Sequence, residues 1–318
     1  MSTLFPPPLS RLYLLAFDHR NAFEHSLLGL SGPPTADEAE AIRRMKMLIY
    51  TGFRLALRQG ARRDGSGILV DEQYGTHVAA HALEDGSLLA MPVEKNGQHE
   101  FDFEYGQDFG AHVETFDPAF TKVMVRYNPE GDAGLNARQR ERLAHLTDWL
   151  QQRGRRFLFE LRVPPTNAQL EAVGGDLERY DTELRPLLLV RAMEELQAGG
   201  VEPDVWKIEG LERPSDCENV ARQARAGGRE HVSCIVLDHR TGWKRMERWL
   251  HAAGATPGFI GFSIGQTIWW NPLRAFQEGQ LTAAEAAQRI SENYQRALIT
   301  WDKAALRSPL QRMEASPA

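Results

Sequence analysis

The sequence predicts a single (β/α)8 barrel, the TIM-barrel fold, and three observations support this prediction. Short apolar runs rich in Val, Ile, Leu and Phe alternate with amphipathic helical stretches along the 318 residues of the chain. The apolar runs are continuous rather than strictly alternating, which is typical of parallel strands covered on both faces. Eight such runs occur, and eight β/α units in a chain of this length match the barrel.

The predicted elements follow one another in regular order. The strands cover residues 12–18, 67–72, 88–93, 120–126, 156–162, 204–209, 232–237 and 258–263. The helices cover residues 36–59, 76–84, 136–153, 184–198, 216–226, 243–253 and 282–301. The segment 94–119 is acidic and aromatic and is interpreted as an excursion rather than a plain helix. A doubly wound sheet is the alternative, but no GxGxxG follows the first strand to support it.

Bulk properties predict one cytoplasmic domain over residues 1–318, with an ordered core at about 10–305 and short flexible tails. The net charge of −6 and the lack of a dense basic stretch argue against a nucleic-acid partner. The apolar runs are too short to cross a membrane, and the first residues do not resemble a signal peptide. Cys217 and Cys234 form no CxxC pair or zinc pattern, as expected in a reducing compartment.

Lysine is scarce, and two lysines lie in unusual places. Six of the 37 basic residues are lysines, and Lys122 and Lys207 lie inside apolar runs predicted to be buried strands. Arginine cannot lose its proton at ordinary pH, whereas a desolvated lysine can become a neutral amine nucleophile. Burial and a second ammonium group both lower the pKa of a lysine. A structural alternative is that each lysine snorkels or pairs with a carboxylate such as Glu209.

The carboxyl ends of barrel strands carry the chemistry of this fold, and polar residues gather there in the sequence. Glu160 lies on the strand between the two lysines. We interpret Lys207 as a Schiff-base nucleophile, Lys122 as the cation that perturbs it, and Glu160 as the acid and base that dehydrates the carbinolamine. We expect substrate-binding groups at the other strand ends: His19, Arg20, Glu72, Arg126, Arg162, Arg240, Ser263 and Gly265.

Six segments of the chain resemble one bacterial family. They are Phe17-Asp-His-Arg20, Val70-Asp-Glu-Gln-Tyr-Gly75, Lys122-Val-Met-Val-Arg-Tyr-Asn-Pro129, Phe157-Leu-Phe-Glu-Leu-Arg-Val-Pro-Pro165, Pro203-Asp-Val-Trp-Lys-Ile-Glu-Gly210 and Gly258-Phe-Ile-Gly-Phe-Ser-Ile-Gly265. The family is the DUF2090-type domain found behind the sugar kinase of bacterial inositol catabolism, the 2-deoxy-5-keto-gluconate 6-phosphate aldolases. More distantly, the chain resembles the class I tagatose-bisphosphate aldolases. The resemblance covers roughly residues 12–303.

This resemblance implies a (β/α)8 barrel and Schiff-base cleavage of a phosphorylated keto-sugar acid, without a metal or other cofactor. The products would be dihydroxyacetone phosphate and malonic semialdehyde. The Schiff-base lysine of the tagatose aldolases falls on Lys207, and their second lysine and glutamate fall on Lys122 and Glu160. Their strand 1 aspartate falls on Asp18. The implied partner is therefore a small sugar phosphate.

The chain departs from the family pattern at two strand ends. In the family pattern, strand 7 ends in a Gly-Arg pair and an arginine follows the glycine of strand 8. This chain instead has Asp238-His239-Arg240 at the end of strand 7 and Gln266 after Gly265. A carboxylate is a poor neighbour for a phosphate dianion, so these changes argue against phosphate as the handle of the substrate. The alternative is that Arg240 and the backbone around Ser263–Gly265 bind a phosphate. Past strand 8, Ile268 and Trp269-Trp270 fit either packing against the last helix or a homo-oligomer contact.

Two other functions fit the same barrel. The first is a metal-dependent lyase or isomerase with Asp18, Glu72, Glu160 and His239 as ligands, although no HxH or HExxH pattern links them. The second is a sugar-binding or regulatory barrel without catalysis, in which the lysines only hold anions. An ordinary pKa for Lys207 would favour this second alternative.

Overall fold

The computed structural model describes residues 9–238 and 242–306, and these form a closed barrel of eight parallel strands. Each strand pairs with the next in chain order, and the last pairs with the first. The strands are β1 (Leu12–Ala16), β2 (Ser66–Leu69), β3 (Leu88–Pro92), β4 (Phe120–Arg126), β5 (Phe157–Arg162), β6 (Val205–Glu209), β7 (Ser233–Leu237) and β8 (Phe259–Ile264). The predicted (β/α)8 barrel is confirmed.

Helices surround the barrel. They are α1 (Ala36–Arg58), α2 (Glu72–Glu84), α3 (Phe109–Phe116), α4 (Ala133–Gln152), α5 (Asn167–Ala172), α6 (Leu177–Arg179), α7 (Arg185–Ala198), α8 (Pro214–Arg225), α9 (Trp243–Gly254), α10 (Gln266–Gln277) and α11 (Ala283–Ala305). The excursion predicted at 94–119 contains α3 and a single antiparallel bridge between Glu94 and Phe103. The sequence analysis did not predict α5, α6 or α10 as separate helices. None of the helices in the described ranges has the length and apolar character that crossing a membrane requires.

Local sequence explains where the long helices begin. Thr35 caps α1 by accepting a hydrogen bond from the backbone of Glu38, and the Glu38 side chain accepts one from the backbone of Thr35. Thr282 and Glu285 form the same reciprocal pair at the start of α11. These pairs satisfy backbone N–H groups that would otherwise lack partners, so each helix start is fixed by four residues of sequence.

Closure of the barrel requires a residue without a side chain in β8. A Cβ atom at Gly261 would lie 1.9 Å from the backbone oxygen of Leu12 in β1, far inside contact distance. Gly261 pairs with Leu12 in the register that joins the last strand to the first. The glycine therefore permits the two strands to approach and the sheet to close.

The barrel interior is apolar in its amino-terminal half and polar above it. An inner cluster fills the lower half and consists of Leu12, Leu14, Ala16, Leu69, Ala90, Phe120, Leu158, Val205 and Ile235. Side chains two residues apart on a strand share a face, so Phe120, Leu158 and Val205 are followed upward by Lys122, Glu160 and Lys207. The strand alternation thus carries these three polar side chains to the carboxyl end of the interior.

Candidate active site

A cavity of about 640 Å³ opens at the carboxyl ends of the strands. Its walls come from the ends of β1, β3, β4, β5, β6 and β8, and the polar groups at its floor are Asp18, Glu94, Lys122, Glu160 and Lys207. This is the face of the barrel where the fold carries its chemistry. The four residues predicted to carry the reaction, Asp18, Lys122, Glu160 and Lys207, therefore share one cavity.

Lys207, Glu160 and Lys122 are in direct contact. Lys207 Nζ donates a hydrogen bond of 2.7 Å to Glu160 Oε2, and Lys122 Nζ lies 3.3 Å from the same oxygen. Glu160 pairs with Lys207 across the β5–β6 ladder, which sets the two side chains side by side. Both lysines are almost fully buried, with exposed fractions of 2% for Lys122 and 4% for Lys207. The carboxylate therefore links the two amines.

Lys122 is surrounded by three carboxylates. Besides Glu160, its Nζ donates hydrogen bonds of 2.9 Å to Asp18 and 2.5 Å to Glu94. Burial alone would lower the pKa of Lys122, but Asp18, Glu94 and Glu160 together outweigh burial and raise the pKa well above its ordinary value. These carboxylates therefore hold Lys122 in its charged form.

The carboxylates around Lys122 differ in acidity. Burial favours the neutral form of each, but Lys122 and then Lys207 hold the pKa of Asp18 well below its usual range. For Glu160, Lys207 and then Lys122 outweigh burial and lower the pKa to about 2. Burial dominates at Glu94 and raises its pKa, with Asp18 adding to the effect. Asp18 and Glu160 are thus ionised, and Glu94 is the group of the three that most readily takes up a proton.

His19 lies beside Asp18 as a neutral imidazole. Burial lowers the pKa of His19 to about 4, against the opposing effect of Asp18. Its ring packs edge-on against Trp269, with ring centroids 5.9 Å apart. Its Nδ1 is buried without a hydrogen-bond partner among the described residues. The side chain therefore offers the cavity a neutral polar group rather than a charge.

A profile of a protein family matches residues 2–305, nearly the whole chain. The protein belongs to the DUF2090 family. That family is described as an uncharacterized protein conserved in bacteria. The predicted family resemblance is therefore confirmed at this level, whereas its assignment to a particular aldolase is not decided by the match.

The barrel of this DUF2090 protein is shared with solved structures of low sequence identity. The Cgl0159 protein of Corynebacterium glutamicum is 17% identical with a TM-score of 0.57, over 90% of this chain and 86% of that one. A fructose-bisphosphate aldolase of Plasmodium falciparum is 12% identical with a TM-score of 0.62, over 93% and 90%. At these identities the likeness concerns the fold alone. No curated protein sequence matches the chain.

Most of the predicted substrate-binding residues of the DUF2090 chain line the cavity. His19, Arg126, Arg162, Ser263 and Gly265 do so, together with Arg20. The Arg20 guanidinium already has protein partners in the cavity wall, because it donates hydrogen bonds to the Glu104 carboxylate at 2.9 Å and to the Glu94 carbonyl at 3.0 Å. The predicted residue Arg240 and its neighbour His239 lie outside the described residues.

Glu72 is the predicted residue that the structure does not bring into the cavity. The strand expected at 67–72 ends at Leu69, and Glu72 is the first residue of α2. Its two carboxylate oxygens each lie 2.9 Å from Nδ1 of His112, and it is absent from the cavity wall. The structure places Glu72 on α2 and away from the cavity, because the chain turns into a helix before reaching this residue.

Of the donors proposed for a metal site, Asp18, Glu72 and Glu160 lie within the described residues of the DUF2090 chain, and His239 lies outside them. Residues 9–238 and 242–306 contain no group of three or more His, Cys, Asp or Glu side chains placed to hold a metal ion. Asp18 and Glu160 contact Lys122, and Glu72 contacts His112. The residues present at the cavity floor fit an amine centre better than a metal centre, because ammonium groups occupy the oxygen donors.

Sequence reasoning missed two charged residues of the DUF2090 site. Glu94 lies two residues after the end of β3, and its position after an apolar run was the available signal. Lys46, in α1, is fully buried; it forms an ion pair with Asp71 and donates hydrogen bonds to the carbonyl oxygens of Phe17 at 2.6 Å and His19 at 3.1 Å. Because these carbonyls flank Asp18, Lys46 fixes the backbone that presents the Asp18 carboxylate.

Proposed function

We propose that this protein is a class I aldolase that cleaves a keto-sugar-acid phosphate through a Schiff base on Lys207. Our preferred substrate is 2-deoxy-5-keto-gluconate 6-phosphate, which would give dihydroxyacetone phosphate and malonic semialdehyde. The observation that carries the proposal is the buried contact of Lys207 with Glu160, which itself contacts Lys122. The family resemblance adds to it, and the likeness in fold to a fructose-bisphosphate aldolase is in keeping with it.

In this mechanism the first steps form an imine. Lys207 passes a proton to Glu160 across their 2.7 Å hydrogen bond, and the resulting neutral amine attacks the ketone carbon. Protonated Glu160 then returns a proton to the oxygen of the carbinolamine, which leaves as water. The product is a protonated imine between the substrate carbon and Lys207 Nζ.

Cleavage follows because the protonated imine withdraws electrons from the neighbouring carbon–carbon bond. Asp18 takes the proton from the hydroxyl group of the departing fragment, which leaves as an aldehyde. The electron pair of the broken bond forms an enamine on Lys207. The proton that Asp18 took up then passes through Glu160 to the enamine carbon, which leaves both carboxylates ionised again. Water then hydrolyses the protonated imine and releases the second product, which restores the charged Lys207 beside ionised Glu160.

Lys122 supports these steps by keeping its positive charge. With three carboxylates around it, Lys122 holds Asp18 and Glu160 ionised, so each can accept a proton when the cycle begins. Its predicted second role, lowering the pKa of Lys207, stays a prediction. Both roles need a permanent charge beside the reacting amine.

Reductive trapping tests the assignment of Lys207. The protein is incubated with the preferred substrate or with dihydroxyacetone phosphate, reduced with borohydride, digested and mapped by mass spectrometry. We expect one adduct, on the peptide containing residues 204–210. The adduct should vanish in Lys207→Met and persist in Lys303→Met, which removes an exposed lysine from α11. An adduct on another lysine, or no adduct with either compound, would refute the assignment.

A metal-chelation control separates the alternative chemistry. Cleavage of the substrate is measured by coupling the release of dihydroxyacetone phosphate to its reduction, before and after dialysis against EDTA. We expect the rate to be unchanged, because the proposed electron sink is the imine. A rate that falls with EDTA and returns with a divalent ion would favour the metal-dependent lyase.

A further inference from the structure

Two arginines stand one layer above the reacting groups in the same cavity. Met124 pairs with Glu160, and Glu160 pairs with Lys207, which defines a lower layer across β4, β5 and β6. Two residues further along, Arg126 pairs with Arg162 at the carboxyl ends of β4 and β5. At about 3.3 Å per residue, the arginine layer lies roughly 7 Å above the layer of the two proposed catalytic groups.

The two guanidinium groups have few partners of their own. Arg126 Nη1 donates a hydrogen bond of 2.8 Å to the carbonyl oxygen of Gln98, and no carboxylate within ion-pair distance of it occurs among the described residues. Arg162 Nε lies 3.3 Å from Glu209. Burial and then the nearby Arg162 lower the pKa of Arg126, so the two positive charges repel each other across the cavity wall. An anion between them would relieve this repulsion.

The net charge of the arginine layer matches a ligand group that carries one negative charge. Two arginines and one glutamate, Glu209, leave a single positive charge at the upper wall. The nearby Arg185 contacts Asp181 at 3.1 Å, a carboxylate that Arg245 also contacts at 3.0 Å, and the Arg185 guanidinium donates to the carbonyl oxygens of Glu209 and Gly210. A carboxylate carries one charge and matches the planar guanidinium fork, whereas a phosphate monoester carries nearly two.

We propose that Arg126 and Arg162 form a carboxylate-binding subsite that selects keto acids whose carboxylate lies a few carbon atoms from the reacting carbonyl. The proposal rests on the proposed function only in placing that carbonyl at Lys207. It puts the acid end of the substrate over β4 and β5, away from the buried carboxylate of Asp238 after β7. Any phosphate of the substrate would then lie elsewhere in the cavity.

Trapping with a matched set of simple ketones tests the subsite. The probes are 5-oxohexanoate, its neutral analogue 2-hexanone, the phosphate analogue 4-oxopentyl phosphate, and pyruvate, whose carboxylate adjoins the ketone. The fraction of the 204–210 peptide that carries a borohydride-reduced adduct is measured as a function of ketone concentration. We expect 5-oxohexanoate to reach half-saturation at a concentration about ten- to a hundredfold lower than 2-hexanone, the gain from a charge-assisted bidentate contact. Pyruvate should show no such gain.

Three glutamine variants locate the effect. Arg126→Gln and Arg162→Gln should each remove most of the advantage of 5-oxohexanoate over 2-hexanone, with both ketones measured on the same variant. The matched control is Arg155→Gln, which removes an arginine paired with Asp117 just before β5 at the opposite end of the barrel. This variant should keep the full advantage. Equal trapping of 5-oxohexanoate and 2-hexanone by the unaltered protein would overturn the subsite while leaving Lys207 as the nucleophile.

A probe without a ketone separates failure of the subsite from failure of the proposed function. Binding of pentanoate and of neutral pentanamide is followed by NMR titration in the same variants. Pentanoate binding that depends on both arginines, with no ketone ever trapped, would sustain the subsite and refute the aldolase. Binding that is unchanged in both variants would refute the subsite. Stronger trapping of 4-oxopentyl phosphate than of 5-oxohexanoate would refute the preference for a carboxylate.

Discussion

Replacing Lys122 by methionine is expected to destabilise the protein by about 3–5 kcal/mol at pH 7, the cost of leaving buried charges without their partner. Lys122 contacts Asp18, Glu94 and Glu160 at 2.9, 2.5 and 3.3 Å, and its side chain is 3% exposed. Lys207 contacts only Glu160 among the carboxylates of the described residues. Lys207→Met should therefore cost less than Lys122→Met, and this comparison is the internal control.

The loss should depend on pH in a defined direction. In the unaltered protein the pKa of Glu160 is about 2 and that of Asp18 is also depressed, so their stabilising effect is present above the unfolded pKa values near 4. It is lost as the pH falls through the folded values. Without Lys122, both folded pKa values rise, so the deficit of the variant should shrink as the pH is lowered from 7 towards 4.

Urea unfolding followed by circular dichroism at pH 7, 5.5 and 4 measures this deficit. We expect the unfolding free energies of the two proteins to converge towards the acid end, with unchanged m-values. A deficit below about 1 kcal/mol at pH 7 would contradict the central role assigned to Lys122, because surface ion pairs contribute no more than that. A deficit that stays constant with pH would show that the loss is one of packing rather than of charge.

Three further predictions concern stability and protonation. Lys46→Met should lower the free energy of unfolding by about 3–5 kcal/mol in urea, because it leaves Asp71 buried without its cation, whereas exposed Lys303→Met should change it by less than about 0.5 kcal/mol. His19, with a folded pKa of about 4 against roughly 6.5 when unfolded, should stay neutral by NMR down to about pH 5. Its contribution to stability is present above pH 6.5 and is lost as the pH falls towards 4; a titration midpoint near 6.5 in the folded protein would contradict its burial. Gly261→Ala should destabilise by several kcal/mol or prevent folding, since its Cβ would meet the Leu12 carbonyl, whereas Gly32→Ala, with open space around it, should fold with an unchanged melting temperature.

The barrel and its reacting groups could be predicted because the signal is local in the sequence. Each strand is a continuous apolar run, and a lysine inside such a run is unusual because the run is expected to be buried. The alternation of side chains along a strand then shows which face of the sheet the lysine side chain lies on, and this does not depend on knowing the partner strand. This is why Lys122, Glu160 and Lys207 could be placed in one interior.

The positions of residues that depend on a strand end or on a tertiary contact could not be predicted in the same way. Strand β2 ends at Leu69, three residues before the expected end, and the next helix carries Glu72 to His112. Lys46 lies in an amphipathic helix, where a lysine is normally solvated, and only the packing of α1 against the barrel shows that it is buried. Glu94 lies in a segment without a repeating pattern. In each case a tertiary contact, rather than a local propensity, decides the position.

The apolar filling of the lower barrel has a consequence for the order of events in catalysis. Because Phe120, Leu158 and Val205 occupy the interior beneath the two lysines, the cavity is a well that is closed at its floor by apolar side chains and opens at the carboxyl ends of the strands. Both fragments of a cleaved substrate must leave by the way it entered. On the proposed mechanism the fragment held by Lys207 sits at the bottom of the well, so the free aldehyde departs first and water enters in its place. The shape of the well thus imposes an ordered release.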